Sequence, residues 1–103
     1  MEKVVRNGKV AILISDGFGI GWYSYHREHQ QLLFHPKLVE MVEQGKSSQI
    51  NENWVKENLN LENIYCGGAS TLQIHWLPIG TAFIVKERDG EEYLEIKDFC
   101  IIA

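Results

Sequence analysis

The longest uninterrupted run of apolar residues, Val10 to Ile14, comes near the start of the chain. Consecutive apolar positions are typical of a strand that is covered on both faces, so this run predicts a buried strand that ends at Ser15. A shorter apolar pair, Val4-Val5, precedes it, and Asn7-Gly8 lies between the two. Because Asn-Gly favours the type I′ turn of two-residue hairpins, the two segments are predicted to pair as a β-hairpin.

The middle of the chain changes to the spacing of amphipathic helices, with apolar residues at i, i+3 and i+4. One helix is predicted from Pro36, which suits the first helical position, to Gln44, because Gly45 suits the position after the last turn. Asn51 can cap a second helix, which ends near Asn60. The apolar faces of the two helices consist of Leu38, Val39, Met41, Val42, Trp54, Val55 and Leu59.

The last third of the chain alternates apolar and polar residues, which is the pattern of half-buried strands. Thr71 to Trp76 is one such strand, and 77–80 is predicted to be a turn. Asp89-Gly90 joins two further strands into a hairpin. The remaining predicted strands are Thr81 to Glu87, Glu92 to Ile96 and Phe99 to Ile102, with shorter ones at Trp22 to Tyr25, Leu32 to Phe34 and Asn63 to Cys66. The whole pattern predicts a single α+β domain over 1–103, mainly antiparallel β-sheet with two short helices between strand-rich ends.

Charge and length narrow the classes of partner. The chain has 103 residues and a net charge of -4, and its ten Lys and Arg residues are scattered, so binding to a nucleic-acid polymer is disfavoured. The acidic residues near the end of the chain alternate with apolar ones, which indicates a solvated strand face. These acidic residues are Glu87, Asp89, Glu91, Glu92, Glu95 and Asp98. Because small domains bury a limited fraction of their surface, a homo-oligomer is expected.

Two features bear on the compartment. The start of the chain lacks the apolar stretch of a signal peptide, and Cys66 and Cys100 form no CxxC pair. We therefore expect a cytoplasmic protein whose two thiols are buried. The longest apolar run is far shorter than the roughly 20 residues that a bilayer span needs, so no membrane association is expected.

The most unusual segment runs from Asp16 to Tyr25, where three alternating glycines lead into a cluster of aromatic residues. Its GxGxG spacing is neither the GxGxxG of a dinucleotide-binding fold nor a Walker loop, which ends in Gly-Lys-Ser/Thr. Two interpretations remain open. The glycines allow a tight turn or close packing at the end of a strand, or they let the backbone approach a ligand.

The aromatic residues that follow carry the same two interpretations. In an extended segment Tyr23 and Tyr25 would share one face, and exposed rings beside Arg27 could stack on a base while the guanidinium meets a phosphate. Alternatively the rings belong to the core. The turn from Trp76 to Thr81 is the candidate second wall of such a pocket. The candidate ligand-binding residues are Asp16, Gly17, Gly19, Gly21, Trp22, Tyr23, Tyr25, Arg27, Trp76 and Thr81.

Catalytic and metal chemistry are weakly represented. His26 and His29 have an HxxH spacing, but a zinc site usually has three or four protein ligands. The serines, cysteines and histidines of the chain stand in no GxSxG or cysteine-protease signature. We therefore predict no catalytic residues, no metal and no cofactor, and hence a protein that is not an enzyme.

Four segments together resemble small, largely uncharacterised proteins of bacteriophages and prophages. These segments are Val4 to Ala11, Gly17 to Tyr23, Leu33 to Pro36 and Leu77 to Phe83. Small phage proteins of this size include inhibitors of bacterial immunity that sequester the cyclic nucleotide or ADP-ribose-derived signals of defence systems. The resemblance thus implies a non-enzymatic sponge for a nucleotide-derived immune signal, and for a phage-encoded chain it implies a location in the cytoplasm of the host cell. The alternative function is a protein-interaction module that masks a host protein surface.

Overall fold

A computed structural model describes residues 2–17, 21–96 and 101–103. Its six strands lie in two antiparallel sheets of three strands each within these residues, in the orders β1-β2-β3 and β5-β4-β6. The predicted α+β fold is confirmed. The helices and strands are β1 (Val5–Arg6), β2 (Lys9–Ser15), α1 (Gln31–Phe34), α2 (Pro36–Glu43), α3 (Glu52–Leu59), β3 (Leu72–Pro78), β4 (Ala82–Arg88), β5 (Glu91–Ile96) and β6 (Ile101–Ile102).

The first hairpin forms as predicted. Asn7 and Gly8 both have positive φ, 53° and 74°, as a type I′ turn requires, and they join β1 to β2 so that Arg6 faces Lys9. Every residue of β2 after Lys9 is buried. The consecutive apolar positions therefore do mark a strand with both faces covered.

Both predicted helices are present, and each begins at a side-chain cap. In α2, Pro36 occupies the first turn and the Nδ1 atom of His35 accepts from the backbone N–H of Lys37 at 3.1 Å. In α3, the Oδ1 atom of Asn51 accepts from the N–H of Trp54 at 2.8 Å. These bonds satisfy amides that have no partner within the helix.

The C-terminal hairpin also agrees with its pattern, since Asp89 and Gly90 turn between β4 and β5 with φ values of 52° and 87°. Strand β3 continues to Pro78, so the turn after it begins two residues later than predicted. The final strand is confirmed at Ile101–Ile102 as β6. The predicted part of that strand at Phe99 and Cys100 lies outside the described residues.

Three short predicted strands are wrong. The aromatic segment forms a 3-10 turn at Tyr23–Tyr25, which lets the adjacent side chains of Trp22 and Tyr23 both enter the core. The second of these segments forms α1, because a helical turn buries all of its apolar side chains, Leu32 to Phe34, side by side. The segment Asn63 to Cys66 is irregular.

The core links the two sheets through α1. The ring of Phe34 meets that of Phe83 from β4 edge-on, with ring centroids 6.3 Å apart, and both side chains are fully buried. Helix α1 also packs against β2. Over the described ranges, no helix is long and apolar enough to cross a bilayer.

Candidate functional site

A buried glutamate organises the backbone around the segment from Asp16 to Tyr25, which we call the Gly-rich segment. Glu92 of β5 is 1% exposed, and its carboxylate accepts three backbone N–H groups. The amide of Ser15 donates to Oε1 at 2.9 Å, and the amides of Trp22 and Ser24 donate to Oε2 at 2.9 and 2.7 Å. A carboxylate can be buried when hydrogen bonds of this kind compensate its lost hydration. Glu92 therefore joins the end of β2 to the 3-10 turn.

The prediction of a solvated acidic face is wrong for this residue. Glu92 stands on the same side of β5 as Leu94, which is partly buried against the core, whereas Glu91, at the adjacent position, is exposed. Asp98, at the end of the same acidic series, lies outside the described residues.

Glycines permit close backbone packing beside this carboxylate. A Cβ atom added to Gly68 would lie 2.3 Å from the carbonyl oxygen of Gly21 and 2.9 Å from the Oγ atom of Ser15. The Oγ atom of Ser15 in turn shares a 2.6 Å hydrogen bond with Oγ1 of Thr71. Gly21, together with the end of β2, is thus packed against the chain that leads into β3.

Two of the candidate aromatic residues belong to the core. Trp22 is fully buried, and its Nε1–H donates to the carbonyl of Leu32 at 2.9 Å. Tyr23 is 3% exposed, its hydroxyl donates to the carbonyl of Arg27 at 3.0 Å, and burial raises the pKa of its phenol. Neither ring presents a face to solvent in this structure.

Tyr25 and Arg27 lie at the surface. Tyr25 is 49% exposed, and its ring centroid is 5.4 Å from that of Tyr65. Arg27 donates from Nη1 to the carbonyl of Val85 at 2.9 Å, and its guanidinium carbon lies 5.8 Å from the centroid of the Tyr23 ring. The guanidinium therefore fastens the 3-10 turn to β4, and only its remaining donors are available to a ligand.

The other candidates in the Gly-rich segment have mixed placements. Asp16 is exposed, with Oδ1 3.7 Å from Nε2 of His75. Gly17 is half-buried and Gly21 is buried. Gly19 lies outside the described residues.

The second predicted wall begins at the far end of the β2–β3 pair. Trp76 faces Ala11 and Asp16 is bonded to Thr71, so Trp76 and the start of the Gly-rich segment are separated by five positions along the ladder, about 17 Å. Thr81 closes the turn after β3, since its Oγ1 donates to the carbonyl of Pro78 at 2.7 Å.

Trp76 instead lines a surface hollow with residues of the first hairpin. This hollow, which we call the Trp76 groove, has a volume of about 330 Å³ and is lined by Arg6, Asn7, Lys9 and Trp76. The guanidinium carbon of Arg6 lies 5.5 Å from the Trp76 ring centroid. Glu43 of α2 accepts from both Nη atoms of Arg6, which fixes the guanidinium beside the ring.

Sequence reasoning missed the two cations of this groove. Arg6 and Lys9 flank the Asn-Gly turn and are paired across it, and paired residues of an antiparallel ladder share a face. The register that Asn7-Gly8 fixes was therefore the signal that could have placed them together. In the described chain, no ion pair reaches Lys9.

Two further hollows differ from the Trp76 groove in charge. The groove between α2 and α3, of about 260 Å³, contains Trp54 but balances Lys37 against Glu40. A third hollow, of about 240 Å³, is polar, with two glutamates and one lysine. Of these three, the Trp76 groove alone combines an aromatic ring with an excess of cations, two against the one carboxylate of Glu43.

The remaining chemistry of the described residues is sparse. Cys66 is a free, partly buried thiol, and its burial, with a smaller effect of the Glu52 charge, raises its pKa to about 11. Such a thiol is a poor nucleophile at neutral pH. Across the described positions, no group of three or more His, Cys, Asp and Glu side chains is placed to hold a metal ion.

Comparison with known proteins adds no relative. No family model, no curated protein and no solved structure matches this chain. The resemblance to small phage proteins stays a prediction.

Proposed function

We propose that this chain is a non-enzymatic binding protein that takes a planar, phosphate-bearing small molecule of the nucleotide class in the Trp76 groove. The observation that carries the proposal is the combination in one hollow of a half-buried indole and two cationic side chains. Stacking is sequence-tolerant because every base has a π-face, and it contributes about 1–3 kcal/mol per base.

The two cations have different roles in this proposal. Arg6 is held beside the ring by Glu43, so its position is fixed before a ligand arrives. Lys9 carries the charge that no described ion pair neutralises, and its ammonium is the phosphate contact. Asn7, whose φ of 53° belongs to the turn, adds a side-chain amide at the edge of the groove.

Sequestration is the biological consequence that we propose for this binding. A cyclic oligonucleotide or an ADP-ribose derivative carries both the base and the phosphates that the groove suits, and a phage protein that held such a signal would keep it from its host receptor. Nothing in this mechanism requires turnover, so the ligand is released intact. The cytoplasm of an infected host is the matching location.

Titration calorimetry with a panel of cyclic oligonucleotides and ADP-ribose derivatives tests the proposal. We expect one member to bind, and Trp76→Leu to weaken its affinity by about 5- to 150-fold, which corresponds to the 1–3 kcal/mol of one stacked base. Lys9→Gln should also weaken binding and should reduce its dependence on salt.

Matched variants in the α2–α3 groove separate a specific site from a general effect. Trp54→Leu and Lys37→Gln make the same chemical changes in the other tryptophan-containing hollow, and we expect both to leave the affinity unchanged. Binding that is lost equally in both sets, or a panel in which every member stays free at micromolar protein, would refute the proposal. Recovery of a hydrolysed ligand from the denatured complex would show an enzyme instead.

A second candidate function, masking of a host protein surface, is favoured by a different observation. Ile79 and Ile102 are 60% and 49% exposed, and they flank the point where the Gly80 amide donates to the carbonyl of Ala103 at 2.9 Å. Exposed apolar side chains that form a contiguous patch are typical of protein interaction sites. Ile79→Lys should abolish partner binding in this case and leave nucleotide binding intact.

A further inference from the structure

The four outer strands of the two sheets are not equally protected against pairing with another chain. Within the described residues, strands β1 and β6 are two residues long, and β5 carries three glutamates among its six residues. Short edges and charged edges are the usual protection against strand addition. Strand β3 has neither, because its seven residues, Leu72–Pro78, contain no Lys, Arg, Asp or Glu, and its one proline is the last residue.

The register shows which backbone groups of β3 point away from β2. The amide of Asp16 donates to the carbonyl of Thr71, and the amide of Ile79 donates to that of Gly8, at the two ends of the ladder. Hydrogen-bonded and non-hydrogen-bonded pairs alternate in an antiparallel ladder. The residues of β3 whose N–H and C=O groups face outward are therefore Leu72, Ile74 and Trp76.

These three residues form a self-complementary set. If a second β3 lies antiparallel with Ile74 on the two-fold axis, Leu72 faces Trp76 of the partner subunit and Trp76 faces Leu72 of the partner subunit. All three are then hydrogen-bonded pairs, which gives six N–H···O bonds for two identical strands. A C2 interface requires this kind of match between a patch and itself.

The side chains of the same residues support this register. Leu72, Ile74 and Trp76 share one face of β3, since they face Ser15, Leu13 and Ala11 across the ladder. Ile74 and Trp76 are only partly buried within one chain. Pairing would place each indole beside a leucine and the two Ile74 side chains together, which buries apolar surface in addition to the backbone bonds.

We infer that two copies of this chain form a dimer by antiparallel pairing of their β3 strands about Ile74, which joins the two β1-β2-β3 sheets into one of six strands. We assign a second copy of this chain as the partner of β3, because β3 contains no Lys, Arg, Asp or Glu that would repel its own copy. The outward N–H and C=O groups of Leu72, Ile74 and Trp76 also match those of a second β3 in number and spacing. The inference does not rest on the ligand proposed for the Trp76 groove, although the Trp76 side chain takes part in both.

A disulfide trap tests the axis directly. In a Cys66→Ser, Cys100→Ser background, Ile74→Cys places two thiols in a hydrogen-bonded pair with Cα atoms about 5.5 Å apart, within the range that a disulfide spans. We expect rapid formation of a covalent dimer under mild oxidation, observed on a non-reducing gel. Ile79→Cys is the matched control, since it is exposed but would lie about 30 Å from its symmetry mate along the strands.

Light scattering of the unmodified chain, with Ile74→Pro as the variant, gives the second readout. The unmodified chain should show twice the chain mass, and Ile74→Pro should show the monomer mass while staying folded, because the lost N–H points away from β2 and edge strands tolerate proline. The inference would be overturned if the unmodified chain stayed monomeric at every concentration up to about 100 μM. A folded Ile74→Pro variant that is still dimeric would also overturn it. So would an Ile74→Cys variant that cross-links no faster than Ile79→Cys.

Discussion

Replacing Glu92 should test whether its carboxylate holds the Gly-rich segment in place. In Glu92→Gln one of the two oxygens becomes an NH2 group. The better orientation keeps an oxygen towards the amides of Trp22 and Ser24 and turns the NH2 group towards the amide of Ser15. The charge-assisted hydrogen bond from Ser15 is then replaced by two N–H groups that face each other. The hydrogen bonds from Trp22 and Ser24 remain but lose the charge of their acceptor.

The expected loss of unfolding free energy follows from the contributions of these hydrogen bonds. A hydrogen bond to a charged group contributes about 1.5–3 kcal/mol, and a buried donor left without a partner costs about 1–3 kcal/mol. We therefore expect Glu92→Gln to lower the free energy of unfolding by about 2–3 kcal/mol. Glu92→Ala leaves three amides without their acceptor and should lower it by at least about 3 kcal/mol, a large part of the 5–15 kcal/mol of a typical domain.

Urea unfolding followed by tryptophan fluorescence gives these free energies by linear extrapolation. Glu91→Gln is the matched control, because Glu91 is adjacent in β5 and exposed, and we expect it to stay within about 0.5 kcal/mol of the unmodified chain. Hydrogen exchange of the amides of Ser15, Trp22 and Ser24 should quicken in Glu92→Gln. A Glu92→Gln variant as stable as Glu91→Gln, with those amides still protected, would refute the reasoning.

Three further predictions concern single residues. Gly68→Ala should lower the free energy of unfolding in urea by about 2–3 kcal/mol, because the added Cβ would meet the carbonyl of Gly21. Gly67→Ala should lower it less, since its Cβ meets only the movable ring of Tyr65. Equal losses in the two variants would contradict the packing. Burial lowers the pKa of His35, and the charge of Lys37 adds to this shift while that of Glu2 opposes it. Below about pH 6.5 the unfolded chain therefore binds more protons than the folded chain, and the stability of the fold should decrease as the pH is lowered. His35→Asn keeps a capping acceptor and should flatten that part of a pH series of thermal melts, and an unchanged slope would show that His35 is not its cause. In a Cys100→Ser variant, alkylation of Cys66 at pH 8 should be about 10- to 100-fold slower than that of an ordinary thiol, and its rate should still increase with pH at pH 10. A rate that reaches a plateau near pH 9 would contradict a pKa of about 11.

The elements that the sequence predicted correctly are those with local causes. Asn7-Gly8 and Asp89-Gly90 adopt the positive φ values for which these residue pairs are preferred in two-residue hairpin turns. Asn51 supplies its cap to an amide three residues away. Because these signals depend only on neighbouring residues, no knowledge of the tertiary structure was needed to use them.

The errors arose where tertiary packing decides. Leu32 to Phe34 is a three-residue apolar run, which fits a buried strand and a buried helical turn equally well. Its helical form depends on a place between β2 and Phe83 that local sequence does not encode. Trp22 and Tyr23 likewise entered the core together because Glu92, about 70 residues later, holds the turn that directs them.

Glu92 itself had a signal that was outweighed by its charge. Along β5 it shares strand parity with Leu94, and Tyr93 shares parity with Glu91 and Glu95. Period-two alternation therefore places Glu92 on the core face, whereas its charge predicts a solvated side chain, because buried glutamates are rare. The carboxylate of Glu92 stands at a strand position whose side chain points to the core, and it accepts hydrogen bonds from amides elsewhere in the chain.

The same three amides bear on where a ligand can bind. A glycine-rich turn binds phosphate by presenting backbone N–H groups, yet Ser15, Trp22 and Ser24 already donate theirs to Glu92. A phosphate at these amides would have to displace a buried carboxylate of the same sign. The Trp76 groove presents cations that need no such exchange, and it lies at the opposite end of the β2–β3 pair. Trp76→Leu should therefore weaken nucleotide binding more than Tyr25→Leu, and the reverse order would place the ligand at the Gly-rich segment.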